Sequence, residues 1–317
     1  MKWLSDDKLN YLRTVVVNPD FSSTKYTFVK ELGRGGMGTV YLAEDRELNR
    51  LVAIKVLNTP EASEDLRDRM VREAQIIARL EHPGIVPVHD VGVLPDGRVF
   101  YAMKFVRGSR LDEYAEQNSS IRDRLRKFQA VCDAVAFAHA HGVIHRDLKP
   151  QNIMIGSFGE VLVLDWGVAK INPSTDYTDE SVKSVDGFNT SAGTIIGTRD
   201  YMSPEQARGE ITQVDERADV YSLGAVLQFL LKDQPKPGKA AKAICSKATA
   251  SLKEDRYSTA SELSADIGRL LDAEPVSAYQ ESAIEKVSRW VGKNRFLVLL
   301  VLAYILMRIF LIFTSRP

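Results

Sequence analysis

Two short polar motifs near the middle of the chain constrain its fold more than any other feature. The first is the run His145-Arg146-Asp147-Leu148-Lys149-Pro150-Gln151-Asn152, and the second is Asp165-Trp166-Gly167. The apolar run between them is typical of a buried strand, which would bring Asp165 beside Asn152. Phosphoryl transfer requires a carboxylate that accepts a proton from a hydroxyl, oxygen ligands for Mg²⁺ and a cation for the phosphate. Asp147, then Asn152 with Asp165, and Lys149 are candidates for these three tasks.

The composition is that of a globular chain without a strong overall charge. With 317 residues, of which 44% are hydrophobic and 26% charged, the chain can bury a full core. Lys+Arg and Asp+Glu are equal at 42 each, so we expect no nucleic-acid partner. Cys132 and Cys245 lie far apart without a Cys-x-x-Cys pair, which fits a reducing compartment. The N-terminus has no apolar core of signal-peptide length, so we expect the first domain in the cytoplasm.

A glycine cluster follows a turn-rich N-terminal lead-in over residues 1–25. Gly33, Gly35, Gly36 and Gly38 lie between two strand-like runs. Such a loop can cover a phosphate tail because no side chains stand in the way of its backbone N–H groups. Dinucleotide-binding loops have similar spacing but lead into a helix. Here the β-rich run Thr39-Val40-Tyr41-Leu42 follows, which favours a hairpin over phosphates.

A lysine and a glutamate come next at informative positions. Lys55 lies in the apolar run from Leu51 to Leu57, which predicts a third strand. Glu73 lies beside the apolar stripe of the following helix, which is formed by Leu66, Met70, Ala74, Ile77 and Leu80. An ordinary strand lysine and a solvated helix glutamate are the alternative interpretations of these two residues.

Together these motifs resemble the protein kinase superfamily, and the chain is similar to bacterial eukaryotic-like serine/threonine protein kinases. The resemblance covers residues 26–272. It implies an α+β, bilobal protein kinase fold, with a small β-rich lobe that has one main helix and a larger, mostly helical lobe. It also implies ATP-dependent phosphorylation of serine and threonine hydroxyls on proteins, because Lys149 belongs to the serine/threonine form of the loop.

The resemblance assigns roles to individual residues. It implies that Asp147, Lys149, Lys55 and Glu73 act in catalysis, with Glu73 pairing with Lys55. It gives Asn152 and Asp165 as ligands of Mg²⁺, or of Mn²⁺ in its place. The residues implied for ATP binding are Gly33, Gly35, Gly36, Gly38, Val40, Ala53, Lys55, Met103, Phe105 and Met154.

The segment between Asp165 and Ser203-Pro204-Glu205 is rich in Ser, Thr, Asp and Gly, which predicts a mobile loop. Its phosphorylation candidates are Thr190, Ser191 and Thr194, of which we favour Thr190. Thr198 resembles a residue that seats the acceptor, which favours protein substrates over small molecules. We expect another copy of the chain among these substrates, by trans-autophosphorylation. Arg256 is expected to pair with Glu205 and fasten the segment.

Two departures from the family pattern stand out. Trp166 replaces the usual phenylalanine, and we expect the fold to accept it because this position requires a large apolar ring. Residues 232–243 are shorter than the loop and docking helix usual there, which leaves substrate docking open. The alternative function is a pseudokinase, a membrane-tethered scaffold that binds nucleotide or partners without turnover.

The C-terminal residues, from 273 onward, have an amphipathic and then an apolar pattern that the kinase-like region does not share. Ile284, Val287 and Val291 recur on one helical face with Trp290 beside it, so residues 273–295 predict a basic amphipathic juxtamembrane segment. Residues 296–313 are apolar except for Arg308 and would form a helix about 27 Å long, against a hydrocarbon core of about 30 Å. We therefore expect one C-terminal transmembrane helix and a short tail, residues 314–317. Basic residues before the span predict a single-pass protein of the cell membrane whose kinase domain is cytoplasmic, with the lipid bilayer as a partner. A buried core helix is the alternative.

Overall fold

A computed structural model describes residues 19–35, 38–58, 64–117, 120–166, 170–171, 199–233 and 238–314. In these ranges a β-rich N-terminal lobe is followed by a larger helical lobe, which confirms the expected bilobal α+β architecture.

The smaller lobe is an antiparallel five-stranded sheet with one long helix. Its strands have the order β1-β2-β3-β5-β4, and every neighbouring pair is antiparallel. The elements are β1 (Tyr26–Arg34), β2 (Gly38–Asp45), β3 (Arg50–Leu57), α1 (Glu64–Arg79), β4 (Val88–Val93) and β5 (Val99–Lys104).

Alternation along β3 sends Lys55 toward the site. Val52, Ile54 and Val56 pack into an aromatic cluster of the small lobe that includes Tyr41 and Phe100. Successive side chains of a strand point to opposite faces, so Lys55 lies on the face opposite to that of Val52, Ile54 and Val56. Its neighbours on that face, Ala53 and Leu57, belong to the main core, together with Met70, Ala74 and Ile77 of α1.

The larger lobe is built around two helices, α3 (Ile121–Ala140) and α5 (Arg217–Leu231), most of whose apolar residues are buried. A three-stranded sheet has the order β6-β8-β9, and β7 pairs with β10. The other elements are β6 (Gly108–Arg110), α2 (Leu111–Gln117), β7 (Val143–Ile144), β8 (Ile153–Gly156), β9 (Val161–Val163), β10 (Lys170–Ile171), α4 (Pro204–Ala207), α6 (Lys239–Ala248) and α7 (Ala260–Leu271). Single 3-10 turns cover Pro150–Asn152, Arg199–Tyr201, Ile211–Gln213 and Lys253–Asp255.

Packing of this lobe continues past α7. Val276 is buried, and the backbone N–H groups of Ser277 and Ala278 donate to the carboxylate of Asp266. The hydroxyl of Tyr257 donates to the same carboxylate at 2.8 Å. Asp266 therefore fastens the segment that leads to the last two helices.

Those helices are α8 (Ala283–Lys293) and α9 (Arg295–Thr314). Large apolar side chains on both are exposed, including Ile284 on α8 and Leu300 on α9. Within the ranges that the structure describes, no helix has the length and apolar character needed to cross a membrane. The transmembrane helix over residues 296–313 stays a prediction.

Candidate active site

A buried carboxylate anchors the backbone of the loop that contains Asp147. Asp219, on α5, accepts hydrogen bonds from the backbone N–H groups of His145 and Arg146, both at 2.8 Å. His139 Nε2 lies 2.8 Å from the same carboxylate. Burial alone would raise the pKa of Asp219, but the bond with His139 and the backbone donors lower it below its usual value. Arg146 has φ 68°, a left-handed conformation that a non-glycine residue adopts at a cost, and the two backbone bonds hold it there.

Asp147 is fixed by its neighbours and remains accessible. Lys149 Nζ lies 2.7 Å from Asp147 Oδ2. Asn152 Nδ2 donates to the backbone oxygen of Asp147 at 2.8 Å and to Oδ2 at 3.1 Å. The Asp147 side chain is 36% exposed, so its carboxylate can meet an incoming hydroxyl.

The β8–β9 hairpin brings Asp165 next to this loop. Ile153 pairs with Val163, and the N–H of Leu164 donates to the backbone oxygen of Asn152 at 2.8 Å. Asp165 follows with φ 52°. Trp166 is fully buried, and its ring centroid lies 4.7 Å from that of His145. The tryptophan thus fills the large apolar site that the sequence predicted for it.

Lys55 joins the two lobes electrostatically. Its Nζ lies 3.0 Å from Glu73 Oε1 of α1 and 3.3 Å from Asp165 Oδ1. Burial alone would lower the pKa of the Lys55 ammonium, but Tyr101, Asp165 and Glu73 around it raise the pKa above its usual value. The lysine therefore stays a cation at neutral pH, and α1 is in the position that completes the site.

The oxygen atoms of this cluster suit a hard divalent cation. Asn152 uses its amide nitrogen on Asp147, which leaves its amide oxygen for a cation. Asp165 Oδ1 contacts the ammonium of Lys55, and the Asp165 side chain is 39% exposed. Mg²⁺ is bound through few protein oxygens together with water and phosphate oxygens, so these two residues fit it, and Mn²⁺ accepts the same ligands. In the described ranges, no group of three or more His, Cys, Asp or Glu could hold a metal ion.

The described glycines of the β1–β2 hairpin have two different surroundings. A Cβ added at Gly38 would lie 2.6 Å from the backbone oxygen of Val56, so only glycine allows β2 to approach β3 there. Among the residues that the structure describes, a Cβ at Gly33 would meet nothing within 4 Å, and one at Gly35 would meet only Gly38 O, at 3.6 Å. Within the described residues, Gly33 and Gly35 therefore lie in less crowded surroundings than Gly38.

The apolar residues predicted for ATP binding are partly or fully buried. Ala53 and Met103 are buried in the main core, and Val40, Phe105 and Met154 are partly buried against it. Val40 lies opposite Lys55 in the β2–β3 pairing, and Ala53 opposite Met103 in the β3–β5 pairing. The sheet register thus places Val40 and Ala53 close to Lys55, with Met103 on the neighbouring strand.

Comparison with known proteins identifies the family. Residues 26–276, which make up most of the chain, match the sequence pattern of the protein kinase domain family. The chain belongs to the protein kinase family.

Similar kinases are bacterial. The serine/threonine-protein kinase PknD of Chlamydia trachomatis serovar D is 38% identical over 232 residues, which cover 65% of this chain and 24% of PknD. The probable serine/threonine-protein kinase PknB of Lactococcus lactis is 40% identical over 228 residues, which cover 70% of this chain and 34% of PknB. The chain thus spans about a quarter to a third of the length of these curated relatives. The PknI kinase domain of Mycobacterium tuberculosis superposes with a TM-score of 0.58 at 26% identity, covering 78% of this chain and 96% of that domain. The matched region is similar to the kinase domains of these bacterial serine/threonine protein kinases.

The end of the kinase's activation segment is fastened as the sequence predicted. Arg256 Nη1 and Nη2 donate to the two oxygens of Glu205 at 2.7 and 2.8 Å, and both side chains are buried. Gln206 Nε2 donates to the backbone oxygen of Arg146 at 2.9 Å, which links the segment to the catalytic loop. Five predicted residues lie outside the described residues: Gly36, Thr190, Ser191, Thr194 and Thr198.

Two polar side chains of the kinase site were missed by the sequence reasoning. His139, on α3, was given no role in the site, yet its ring contacts Asp219. Tyr101, on β5, was given no role either, yet its hydroxyl donates to Glu73 at 2.9 Å. The alternation of β5 gave a signal for Tyr101, since Tyr101 and Met103 share one face of the strand.

Proposed function

We propose that this chain transfers the γ-phosphate of ATP to serine and threonine hydroxyls of proteins. The observation that carries the proposal is the contact of Lys55 with both Glu73 and Asp165, beside the accessible carboxylate of Asp147. A phosphoryl-transfer site needs this combination of a held cation, oxygen ligands and a positioned carboxylate. The serine/threonine specificity is proposed from Lys149 and from the names of the bacterial relatives.

Each residue has a part that follows from its position. Lys55 binds phosphate oxygens of ATP and is kept in place by Glu73. Asp147 orients the acceptor hydroxyl and takes its proton, while Lys149, 2.7 Å away, supplies positive charge beside the transferred group. Asn152 and Asp165 would hold Mg²⁺, which when bound neutralises charge on the phosphates.

An assay with γ-phosphate-labelled ATP tests the proposal. The purified full chain, given Mg²⁺ and a general protein acceptor, should label the acceptor on serine or threonine. The matched control is Asp147→Asn, which removes the proton acceptor and leaves Lys55 and Asp165 in place. Tight ATP binding by the wild type without any transfer would instead support the pseudokinase scaffold.

We also propose that the C-terminal helices attach the kinase to a cell membrane, with the catalytic domain on the cytoplasmic side. α8 contacts the large lobe through Glu285, which accepts from Lys239 Nζ at 2.7 Å, and Arg289 pairs at 2.8 Å with Glu281, just before the helix. Its apolar residues face away, and Ile284 is 81% exposed. Exposed apolar residues continue along α9, and such a continuous surface with basic residues beside it fits anionic lipid.

Flotation with anionic vesicles tests the attachment. The full chain should float with the vesicles, and the double variant Ile284→Asp/Trp290→Asp should float less. Phe158→Asp is the matched control, because Phe158 is 98% exposed on the turn between β8 and β9, outside the C-terminal helices. Carbonate extraction then separates a spanning helix, which resists it, from surface attachment, which does not. A full chain that stays with the soluble fraction would contradict the proposal.

Regulation by autophosphorylation between copies is a further part of the proposed function. Arg146 Nε is buried and has no hydrogen-bond partner among the described residues. A phosphate on Thr190, Ser191 or Thr194 could pair with Arg146 and order the segment. Confinement of two copies to one membrane surface would raise their effective concentration and favour this reaction.

A further inference from the structure

Tyr101, on β5, contacts the ion pair that holds the phosphate-binding lysine. Its hydroxyl donates to Glu73 Oε1 at 2.9 Å, the same oxygen that lies 3.0 Å from Lys55 Nζ. The ammonium of Lys55 lies over the tyrosine ring, 5.6 Å from its centroid, within the range of a cation–π contact. Tyr101 is fully buried, and the β3–β5 register places it directly opposite Lys55. All three side chains therefore meet on one face of the sheet.

The hydroxyl links α1 to the sheet by a route separate from Lys55. Lys55 has a flexible four-carbon stem, whereas the ring of Tyr101 has few rotamers and is packed in the core. Burial raises the pKa of Tyr101 well above its usual value, so the hydroxyl keeps its proton and remains a donor. A hydrogen bond to a charged carboxylate is stronger than one between neutral groups. Tyr101 thus supplies Glu73 with a second, less mobile partner.

We propose that Tyr101 is a positioning residue of the kinase, whose hydroxyl holds Glu73 against the sheet and so keeps α1 and Lys55 ready for the phosphates of ATP. This inference rests on the proposed ATP-dependent function. Without the hydroxyl, α1 samples arrangements in which Glu73 has left Lys55. Only the paired fraction binds ATP at full affinity, so the apparent dissociation constant rises as that fraction falls. Saturating ATP selects the paired arrangement, so turnover recovers.

The test compares two tyrosine-to-phenylalanine variants of the full chain. Tyr101→Phe should raise both the dissociation constant and KM for ATP by roughly 10-fold or more, the effect of losing one hydrogen bond to a charged group. Its kcat should stay within about twofold of the wild type. Tyr26→Phe is the matched control, because Tyr26 donates to Asp90 Oδ2, also at 2.9 Å, in the same lobe. It should leave ATP affinity unchanged.

Two further measurements make the test specific. In a Glu73→Gln background, Tyr101→Phe should add little, since the tyrosine acts through Glu73. Without ATP, amide hydrogen exchange in α1 should be faster in Tyr101→Phe than in the wild type. Equal ATP affinity and equal exchange in both proteins would overturn the inference, and so would the same loss of affinity in Tyr26→Phe.

The outcome also separates this inference from the proposed function. A wild type that binds ATP but transfers no phosphate would contradict the kinase proposal alone. Calorimetric ATP affinity and α1 exchange would still decide the role of Tyr101, because neither depends on turnover.

Discussion

Replacing Arg256 by methionine should destabilise the kinase domain strongly. Arg256 has no exposed side-chain surface, and its partner Glu205 is 6% exposed. Burial alone would raise the pKa of Glu205, but the bonds from Arg256 lower it below its usual value, so the carboxylate stays ionised at neutral pH. Methionine fills much of the same volume but leaves that charge buried without its counter-ion.

The size of the expected loss in unfolding free energy follows from the burial of this ion pair. Removing one partner of a buried ion pair typically costs about 3–5 kcal/mol, because the other charge remains uncompensated. Arg256 also donates to the backbone oxygens of Ala250, Arg217 and Ser251, which adds to the loss. A typical domain has a total stability of only about 5–15 kcal/mol. With a urea dependence of about 3 kcal/mol per molar, the unfolding midpoint should fall by at least about 1 M.

Urea unfolding followed by circular dichroism measures this loss. Arg208→Met is the matched control, because Arg208 pairs with Glu210 in the same bidentate manner, at 2.8 and 3.0 Å, but at an exposed site. Its midpoint should not change detectably, since exposed pairs contribute little. Adding Glu205→Leu to Arg256→Met should recover part of the loss, because no buried charge then remains. Equal midpoints for the Arg256 and Arg208 variants would show that the buried pair contributes no more stability than the exposed one, contrary to this prediction.

Three other predictions concern the metal, the catalytic loop and the C-terminal helices. Asp165→Asn should remove most of the dependence of ATP affinity on Mg²⁺, measured by calorimetry with and without the metal; an unchanged dependence would remove Asp165 from the metal site. The folded-state pKa of Asp219 lies below its unfolded value, so its stabilising contribution is complete above about pH 5 and is lost as pH falls through the folded pKa. The difference in urea midpoint between wild type and Asp219→Asn should therefore shrink from about pH 6 to about pH 3, and a constant difference would contradict this. A chain ending at Gln280 should fold, yet on anionic vesicles it should phosphorylate Thr190 more slowly than the full chain at equal concentration; equal rates, measured by mass spectrometry, would leave the helices without this role.

Local patterns and the family resemblance together predicted much of the site. The resemblance implied that Glu73 pairs with Lys55, and the two side chains lie 3.0 Å apart in the structure. The apolar run before Asp165 predicted a strand that brings Asp165 beside Asn152, and the β8–β9 hairpin does so. The strand prediction succeeded because it depends on the residue pattern of a single element.

Contacts that depend on strand register or on backbone strain could not be predicted from the sequence. The bond from Tyr101 to Glu73 requires the β3–β5 pairing, which long-range packing determines. The family resemblance implied that Asp219 anchors the backbone of the catalytic loop, and the structure confirms this contact, but the left-handed conformation that it holds at Arg146 was not predicted. The amphipathic character of α8 was readable, but the pairing of Glu285 with Lys239, through which the helix contacts the large lobe, was not.

Phosphoryl transfer to matched peptides tests the proposed serine/threonine kinase activity directly. Three peptides that differ only in a serine, a threonine or an alanine at the acceptor position would be incubated with the full chain, ATP and Mg²⁺, and analysed by mass spectrometry. Phosphate should appear on the serine and threonine peptides and not on the alanine peptide. The rate should be at least about 100-fold lower for Asp147→Asn, because a positioned general base is lost, and ATP binding should be retained. A wild-type protein that binds ATP and modifies none of the peptides, or an Asp147→Asn variant as fast as the wild type, would contradict these predictions.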